Sequence, residues 1–135
     1  MPSIPEELLN AIRSRSVLPA PPPVCALADG IRATYGEALQ AILFYGSCLR
    51  TGDDRGGMVD LYVIVGRYRD AYRSFWWAAL NQLLPPNVFY LEIPFEGRMV
   101  RAKYAVLSMA DLERGASPAW FHSYIWGRFA QPTVL

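Results

Sequence analysis

Two apolar runs of strand length lie near the middle of the chain. Ile42 to Tyr45 is uninterrupted and ends at Gly46-Ser47, and Val59 to Val65 is apolar except for Asp60. Short runs of this kind are typical of buried strands. Because strand side chains alternate, one face of the second run is predicted to carry Val59, Leu61, Val63 and Val65, and the other Asp60, Tyr62 and Ile64.

The segments before these strands have helical spacing that prolines interrupt. A helix is predicted to open at Ser3 to Glu7 and to end near Arg15. Four prolines between Val17 and Val24 predict an extended linker, and Cys25 to Gln40 returns to helical spacing that suits packing on a sheet. Residues 1–24 are therefore predicted to be a separate helix and proline-rich linker, and residues 25–135 to be one domain.

The pattern after the second strand predicts a long helix and then a hairpin. Arg67 to Leu84 has a wide apolar stripe, with Trp77 and Leu84 off it, and prolines follow. The hairpin comprises Val88 to Phe95, a Glu96-Gly97 turn, and Arg98 to Leu107.

The two-residue turn fixes the predicted register of this hairpin. Facing residue numbers must sum to 193, which places Glu92 opposite Arg101 and Tyr90 opposite Lys103. A short capped helix from Ser108 and a further helix from Ser117-Pro118 are predicted to follow.

Composition narrows the classes of function. The net charge of +1 implies no polyanionic partner, so no nucleic acid is expected. Twelve of the thirteen basic residues are arginine, which leaves Lys103 as the only lysine. Cys25 and Cys48 lack metal-ligand spacing and follow no secretory leader, so reduced thiols in a cytosolic-type compartment are expected. No apolar run approaches the roughly 18 residues of a spanning helix.

Two features carry candidate chemistry. The bend at Gly46-Ser47 suits a phosphate, because a small residue admits a ligand close to backbone N–H groups and the serine hydroxyl adds a donor. An ordinary surface turn is the alternative. Asp60 is costly to bury unless it is paired or bound to a metal. The alternatives are an edge strand with Asp60 in water, or a salt bridge to an arginine.

A strand ending in Gly46-Ser47, followed after about a dozen residues by an apolar strand carrying Asp60, resembles the nucleotidyltransferase superfamily that includes DNA polymerase beta. That superfamily usually has two aspartates as Asp-x-Asp, and Met58 stands at the place of the first.

Four short motifs in order are similar to the mitochondrial-type phosphatidate cytidylyltransferases, the translocator assembly and maintenance protein family. They span about Ile42 to Val134: Tyr45-Gly46-Ser47 with Asp60, Val88-Phe89-Tyr90 with Pro94-Phe95, Lys103-Tyr104-Ala105-Val106, and Gly127-Arg128-Phe129 with Gln131-Pro132. Cys48 and Ala105 stand where the family usually has glycine, and Gln131 stands near its lysine.

The resemblance implies an α+β fold with a nucleotidyltransferase-like mixed sheet flanked by helices. It implies transfer of CMP from CTP to phosphatidic acid with Mg²⁺. Asp60 and Lys103 would be catalytic, Gly46, Ser47 and Arg128 would bind nucleotide or phosphate, and Asp60 with Glu92 would hold the metal. A cross-strand ion pair with Arg101 is the alternative for Glu92, and Asp53 or Asp54 is an alternative metal ligand.

A lipid acceptor implies a peripheral membrane protein in a cytoplasmic or mitochondrial-matrix-like compartment, at the inner membrane. Trp76 and Trp77 are candidate contacts with lipid, and an ordinary partly buried aromatic is the alternative for Trp77. Two alternatives are a nucleotidyltransferase with a soluble acceptor and a catalytically degenerate nucleotide-binding module. The family is usually longer, with a largely helical C-terminal part, so a fragment is also expected.

Overall fold

The fold consists of helices packed on one sheet. The computed structural model describes residues 4–46, 57–72, 75–83, 87–117 and 133–134. The helices are α1 (Glu6–Ser16), α2 (Pro22–Tyr35), α3 (Tyr68–Ala71), α4 (Phe75–Leu83) and α5 (Met109–Gly115). The strands are β1 (Leu39–Tyr45), β2 (Val59–Val65), β3 (Asn87–Phe95), β4 (Arg98–Ser108) and the two-residue β5 (Thr133–Val134).

The strands form one mixed sheet in the order β3-β4-β2-β1-β5. β2 runs parallel to β4, whereas the β1–β2, β3–β4 and β1–β5 pairs are antiparallel. The predicted α+β class with a mixed sheet flanked by helices is confirmed. Because β2 lies between two strands, the interpretation of Asp60 as an edge-strand residue is wrong.

The two faces of β2 pack into separate clusters, as the alternation predicts. The face that we call the covered face carries Val59, Leu61, Val63 and Val65, and packs with residues of α2, α3 and α4. The opposite face, called the Asp60 face, carries Tyr62 and Ile64, which pack with Tyr45, Ala105 and Leu107 and with Leu112 of α5. One end of the Asp60 face is therefore filled with apolar side chains.

The proline-rich linker is shorter than predicted. α1 ends at Ser16, close to the expected Arg15, and buries none of its residues. α2 already begins at Pro22, so the last part of the predicted linker is helical. Proline is tolerated in the first helical turn because the N–H that it lacks has no partner there. α2 ends at Tyr35, and the last residues of the predicted helix belong to a 3₁₀ turn and to β1.

The predicted single helix from Arg67 to Leu84 is instead two helices, α3 and α4. α3 ends at Ala71, and Tyr72 is extended, with φ −116° and ψ 136°. The Tyr72 ring lies 6.3 Å from that of Tyr35 and 5.9 Å from that of Phe89, measured between centroids. These contacts interrupt the helix, so α4 starts with a new phase.

The new phase changes which side of α4 meets the core. Phe75, Trp76 and Leu83 belong to the predicted apolar stripe and are 78%, 75% and 77% exposed. Trp77 was placed off the stripe, and its ring lies 6.0 Å from Phe89. The only buried residue of α4 among those described is Ala78.

The hairpin is confirmed with its register. Glu92 faces Arg101 and Tyr90 faces Lys103. Glu96 and Gly97 both have positive φ, of 48° and 78°, as the common two-residue hairpin turn requires. At the end of β4, Ser108 Oγ accepts a hydrogen bond of 3.1 Å from the Asp111 N–H and caps α5 as predicted.

None of the helices in the described part of the chain has both the length and the apolar character needed to cross a bilayer. The helix predicted from Ser117-Pro118 lies outside the described residues beyond Ser117 itself.

Candidate functional site

Asp60 lies near the start of β2, between residues of both neighbouring strands. It faces Tyr45 of β1 and Lys103 of β4. Its Oδ1 is 3.5 Å from Lys103 Nζ, and its side chain is 21% exposed against 51% for the lysine. The carboxylate is therefore paired, as one alternative anticipated, but with the only lysine rather than with an arginine.

Gly46 brings the end of β1 into contact with the same carboxylate. Its φ is +90°, a conformation that side chains of L-residues rarely adopt. A Cβ added here would lie 2.5 Å from Asp60 Oδ2 and 3.2 Å from its Cγ. Glycine is thus required twice, for the backbone bend and for the space that Asp60 fills. The structure therefore places Gly46 and Asp60, two residues of the predicted site, side by side.

Two of the predicted phosphate-binding residues cannot be placed. Ser47 and Arg128 lie outside the described residues, as do Asp53 and Asp54. Their roles stay predictions. Gly46, Asp60 and Lys103 are therefore the part of the predicted site that the structure brings together.

Glu92 lies on the same side of the sheet but at a distance from Asp60. Its Oε1 accepts a hydrogen bond of 3.2 Å from Arg101 Nε, the ion pair weighed as an alternative to metal binding. Since β3 and β2 are separated by β4, Glu92 and Asp60 are offset sideways by roughly 10 Å. Within the described ranges, no three acidic, histidine or cysteine side chains form a metal-binding group.

The β3–β4 end of the Asp60 face is polar and open to solvent. Tyr90 is exposed beside Lys103, and Arg101 and Glu92 lie next to them along the hairpin. Lys103 and Arg101 present two cations, each paired with one carboxylate. A half-exposed lysine can exchange its carboxylate partner for a phosphate oxygen, because both interactions are made close to water.

A second polar cluster lies at the other end of β2, and the sequence did not indicate that its residues come together. The hydroxyl of Tyr68 donates a hydrogen bond of 2.6 Å to Oδ2 of the buried Asp111, whose Oδ1 pairs with Arg114. Burial, followed by the bond to Asp111, raises the pKa of the Tyr68 hydroxyl well above its usual range. Sequence reasoning recognised Asp111 only as a capping residue, since its contact with Tyr68 depends on how α3 and α5 meet.

The covered face holds a further tyrosine pair without charge. The hydroxyls of Tyr35 and Tyr104 are 3.2 Å apart, and burial is the main cause that raises the pKa of Tyr35. A neutral pair joins α2 to β4 and suits structural support rather than proton transfer at neutral pH.

Two cavities among the described residues lie away from Asp60. One, of about 770 Å³, is lined by the linker after α1, by α2 and by β1. Another, of about 710 Å³, lies among α3, α4 and α5. Neither of these cavities is lined by Asp60 or Lys103.

Comparison with known protein families and with curated protein sequences finds no match for this chain.

Proposed function

We propose that the chain transfers CMP from CTP to phosphatidic acid, forming CDP-diacylglycerol and releasing pyrophosphate. The observation that carries this proposal is the contact between the Asp60 carboxylate and Gly46, at the end of β1 and on neighbouring strands of a mixed sheet. It is the arrangement that the resemblance to nucleotidyltransferases implies for a phosphate-binding turn and a catalytic carboxylate.

The reaction mainly requires that the protein position the two substrates and neutralise the negative charge of their phosphates. A phosphate oxygen of phosphatidate attacks the α-phosphorus of CTP, and the bond from that phosphorus to the bridging oxygen of the β-phosphate breaks. Pyrophosphate leaves with the electron pair of that bond. The protein therefore needs donors and cations around the triphosphate, and Lys103 beside Asp60 is a cation at a suitable place.

Asp60 provides the smallest number of carboxylate ligands, one, with which proteins usually hold Mg²⁺. This ion is often held by only one or two carboxylates, with substrate phosphates and waters completing its shell. Asp60 is partly exposed and offers one such carboxylate. A bound Mg²⁺ would neutralise charge on the triphosphate. Glu92 as a second ligand stays a prediction.

Lys103 has two roles in this proposal. In the described state it neutralises Asp60, which makes a carboxylate on a central strand tolerable. A bound triphosphate with its cation would give Asp60 another counter-charge, and Lys103 would then be available to a phosphate oxygen. Gly46 provides close backbone approach, and Ser47 and Arg128 would add phosphate contacts as the resemblance implies.

A nucleotide-binding module without catalysis is the second candidate. It is favoured by Met58, which stands where the superfamily usually has its first aspartate, and by the lysine that already compensates Asp60. A nucleotidyltransferase with a soluble acceptor differs from the main proposal only in the requirement for phosphatidate. The lipid acceptor implies a peripheral location at the inner membrane, in a cytoplasmic or matrix-like compartment.

The test follows transfer of label from the α-phosphate of CTP into lipid, with Mg²⁺ and phosphatidate vesicles. Asp60→Asn should lower the rate by roughly a hundredfold or more, because metal-assisted charge stabilisation is worth several kcal/mol. Asp29→Asn is the matched control, since Asp29 pairs with Arg32 on the exposed surface of α2. Both variants should keep the wild-type circular dichroism spectrum.

Each other outcome identifies an alternative. CTP binding without transfer to any acceptor would support the binding module. Transfer that does not need phosphatidate would support a soluble acceptor. Undiminished transfer by folded Asp60→Asn would overturn the assignment of Asp60.

A further inference from the structure

Strand β3 forms one edge of the sheet, and within the described residues no strand pairs with its outer side. Because a two-residue turn joins β3 to β4, Phe95 exchanges both backbone hydrogen bonds with its partner, and every second residue before it also points its backbone groups toward β4. Val88, Tyr90 and Glu92 therefore point theirs outward. Backbone hydrogen bonds from other described elements do not reach these residues, so three N–H and three C=O groups are open to another strand.

This edge has little of the protection that usually keeps strands of separate chains apart. Pro94 has no N–H group and occupies the next outward position, so it ends the open stretch on one side. Pro86, which directly precedes β3 in the sequence, lacks this group as well. Between the two prolines Glu92 is the only charged residue, and its carboxylate is paired with Arg101 of its own hairpin. An apolar edge strand of this length favours pairing with another strand.

Exposed apolar side chains border the edge on both faces of the sheet. Val88 and Tyr90 are 56% and 55% exposed on the Asp60 face. On the covered face the half-exposed ring of Trp77 lies 6.0 Å from Phe89, so α4 adjoins β3. Three more large apolar side chains of this helix are exposed: Phe75, Trp76 and Leu83.

The extent of this apolar surface matches that of an interface. The exposed side chains of β3 and α4 together present roughly 800 Å², the area that a standard stable interface buries on each partner. Apolar surface of this size commonly marks an interaction site. The edge of β3 therefore combines open backbone groups with enough apolar area for a stable association.

We propose that β3 pairs with β3 of a second copy of this chain, antiparallel across a two-fold axis at Tyr90, to form one continuous sheet. Tyr90 then faces Tyr90 of the second copy, and Val88 faces Glu92 of the second copy, with two hydrogen bonds in each pair. This register leaves the prolines outside the paired stretch. It also keeps the two Glu92 carboxylates from facing each other.

A second copy covers more of this surface than an extended peptide would. A peptide can add a strand to an open edge, but it leaves the exposed side chains of α4 in water. The two-fold axis keeps both covered faces on one side of the combined sheet, and Phe89, which contacts Trp77 of α4, faces Leu91 of the second copy. The α4 helices of the two copies are thereby brought beside each other and shield their exposed rings.

The pairing also joins the two Asp60 faces into one surface. Asp60 faces Lys103, and Lys103 faces Tyr90, which lies on the axis. Adjacent strands are roughly 4.8 Å apart, so three strand spacings separate the lysines of the two copies by roughly 14 Å. The inference goes beyond the proposed function and needs no transferase activity, because association is measured without any substrate.

The experiment measures the mass of the full chain by sedimentation equilibrium over a concentration series. The wild type should be a dimer at about 50 μM, because interfaces of standard area commonly have micromolar or lower dissociation constants. Tyr90→Lys and Tyr90→Glu should each raise the dissociation constant about tenfold or more, since like charges then face each other at the axis. An equimolar mixture of the two variants should recover the dimer, because opposite charges then meet.

Disulfide cross-linking tests the register. With Cys25 and Cys48 replaced by serine, Tyr90→Cys should cross-link two copies on oxidation, because Cα atoms of a hydrogen-bonded antiparallel pair are about 5.5 Å apart. Val88→Cys is the matched control. Val88 is as exposed as Tyr90 on the same face, but the proposed register separates it from Val88 of the second copy by roughly 14 Å. Circular dichroism must show that every variant stays folded.

Three results would overturn the proposal. One is a wild type that stays monomeric at about 100 μM, which would leave the edge to a strand of another protein. Another is a wild-type dissociation constant for both Tyr90→Lys and Tyr90→Glu. The third is cross-linking of Val88→Cys as fast as that of Tyr90→Cys, which would assign the dimer to another register or another surface.

Discussion

The contact between Gly46 and Asp60 can be tested by adding one methyl group. Gly46→Ala places a Cβ 2.5 Å from Asp60 Oδ2, a separation that real Cβ atoms do not show. The backbone φ of +90° must also be kept by a residue that disfavours it. Both effects destabilise the folded state, and they can be separated because only the first needs Asp60.

Three effects contribute to the expected loss of folding stability in Gly46→Ala. The left-handed backbone costs about 1–2 kcal/mol for a residue with a Cβ. Forcing the Asp60 side chain off its rotamer costs about 0.5–1.5 kcal/mol. Loss of the pair with Lys103 costs at most about 1 kcal/mol, because the lysine is half exposed and solvent screens the interaction. Gly46→Ala should therefore lower the free energy of unfolding by roughly 2–4 kcal/mol and Tm by roughly 8–16 °C.

A double-mutant cycle isolates the collision. Asp60→Ala removes the oxygen, leaving a closest approach of 3.1 Å between the new Cβ and that of residue 60. In this background Gly46→Ala should cost about 1–2 kcal/mol less than in the wild type. Urea unfolding measures all four proteins. Gly97→Ala is the matched control, since Gly97 has φ +78° with no heavy atom within 4 Å of an added Cβ.

Additive effects of Gly46→Ala and Asp60→Ala on the free energy of unfolding would contradict the proposed contact. If Gly46→Ala costs the same in both backgrounds to within about 0.5 kcal/mol, the Asp60 carboxylate does not occupy the space beside Gly46. If Gly97→Ala couples to Asp60→Ala as strongly as Gly46→Ala does, the coupling reflects the denatured state rather than this contact.

Three further perturbations test other parts of the structure. Tyr68→Phe should lower stability by about 1–3 kcal/mol at neutral pH, because buried Asp111 loses a donor. Since the pKa of Tyr68 is raised on folding, Tyr68 should contribute a fall in stability of roughly 1.4 kcal/mol per pH unit above about pH 10, and Tyr68→Phe should reduce the alkaline slope of the wild type by this amount; an unchanged alkaline slope would contradict the shift. Glu92→Lys should cost up to about 1 kcal/mol by facing Arg101 with a like charge, whereas Glu92→Gln should be nearly neutral. Removal of residues 1–16 should change urea unfolding by less than about 1 kcal/mol because α1 buries no residue, and a larger loss would make this helix part of the domain.

Features with a local cause could be predicted from the sequence. The faces of Val59–Val65 follow from the two-residue period of a strand, and the hairpin register follows from the Glu96-Gly97 turn. The approach of Gly46 to Asp60 was predictable because a glycine at a strand end precedes a carboxylate in the next apolar strand.

Features that depend on distant contacts could not be predicted. No proline or glycine marks the break after Ala71, which instead accompanies the packing of Tyr72 against Tyr35 and Phe89. The pairing of Asp60 with Lys103 requires β2 and β4 to lie parallel and in register. Neither strand's own sequence indicates which strand it pairs with or in which direction. The family resemblance implied a catalytic role for Lys103, but the sequence did not indicate its carboxylate partner.

The parallel pairing of β2 with β4 also has a consequence for how the chain folds. β3 and β4 are joined by a two-residue turn and can pair early, whereas β2 must close a loop that contains α3, α4 and β3 before it meets β4. Loop closure is an entropic cost that is met before the new contacts form, so high contact order slows folding. We expect β2 to insert late, between the preformed hairpin and β1. Because Asp60 enters with β2, a folding intermediate would have Lys103 without its counter-charge, and the ion pair would mark the completion of the sheet.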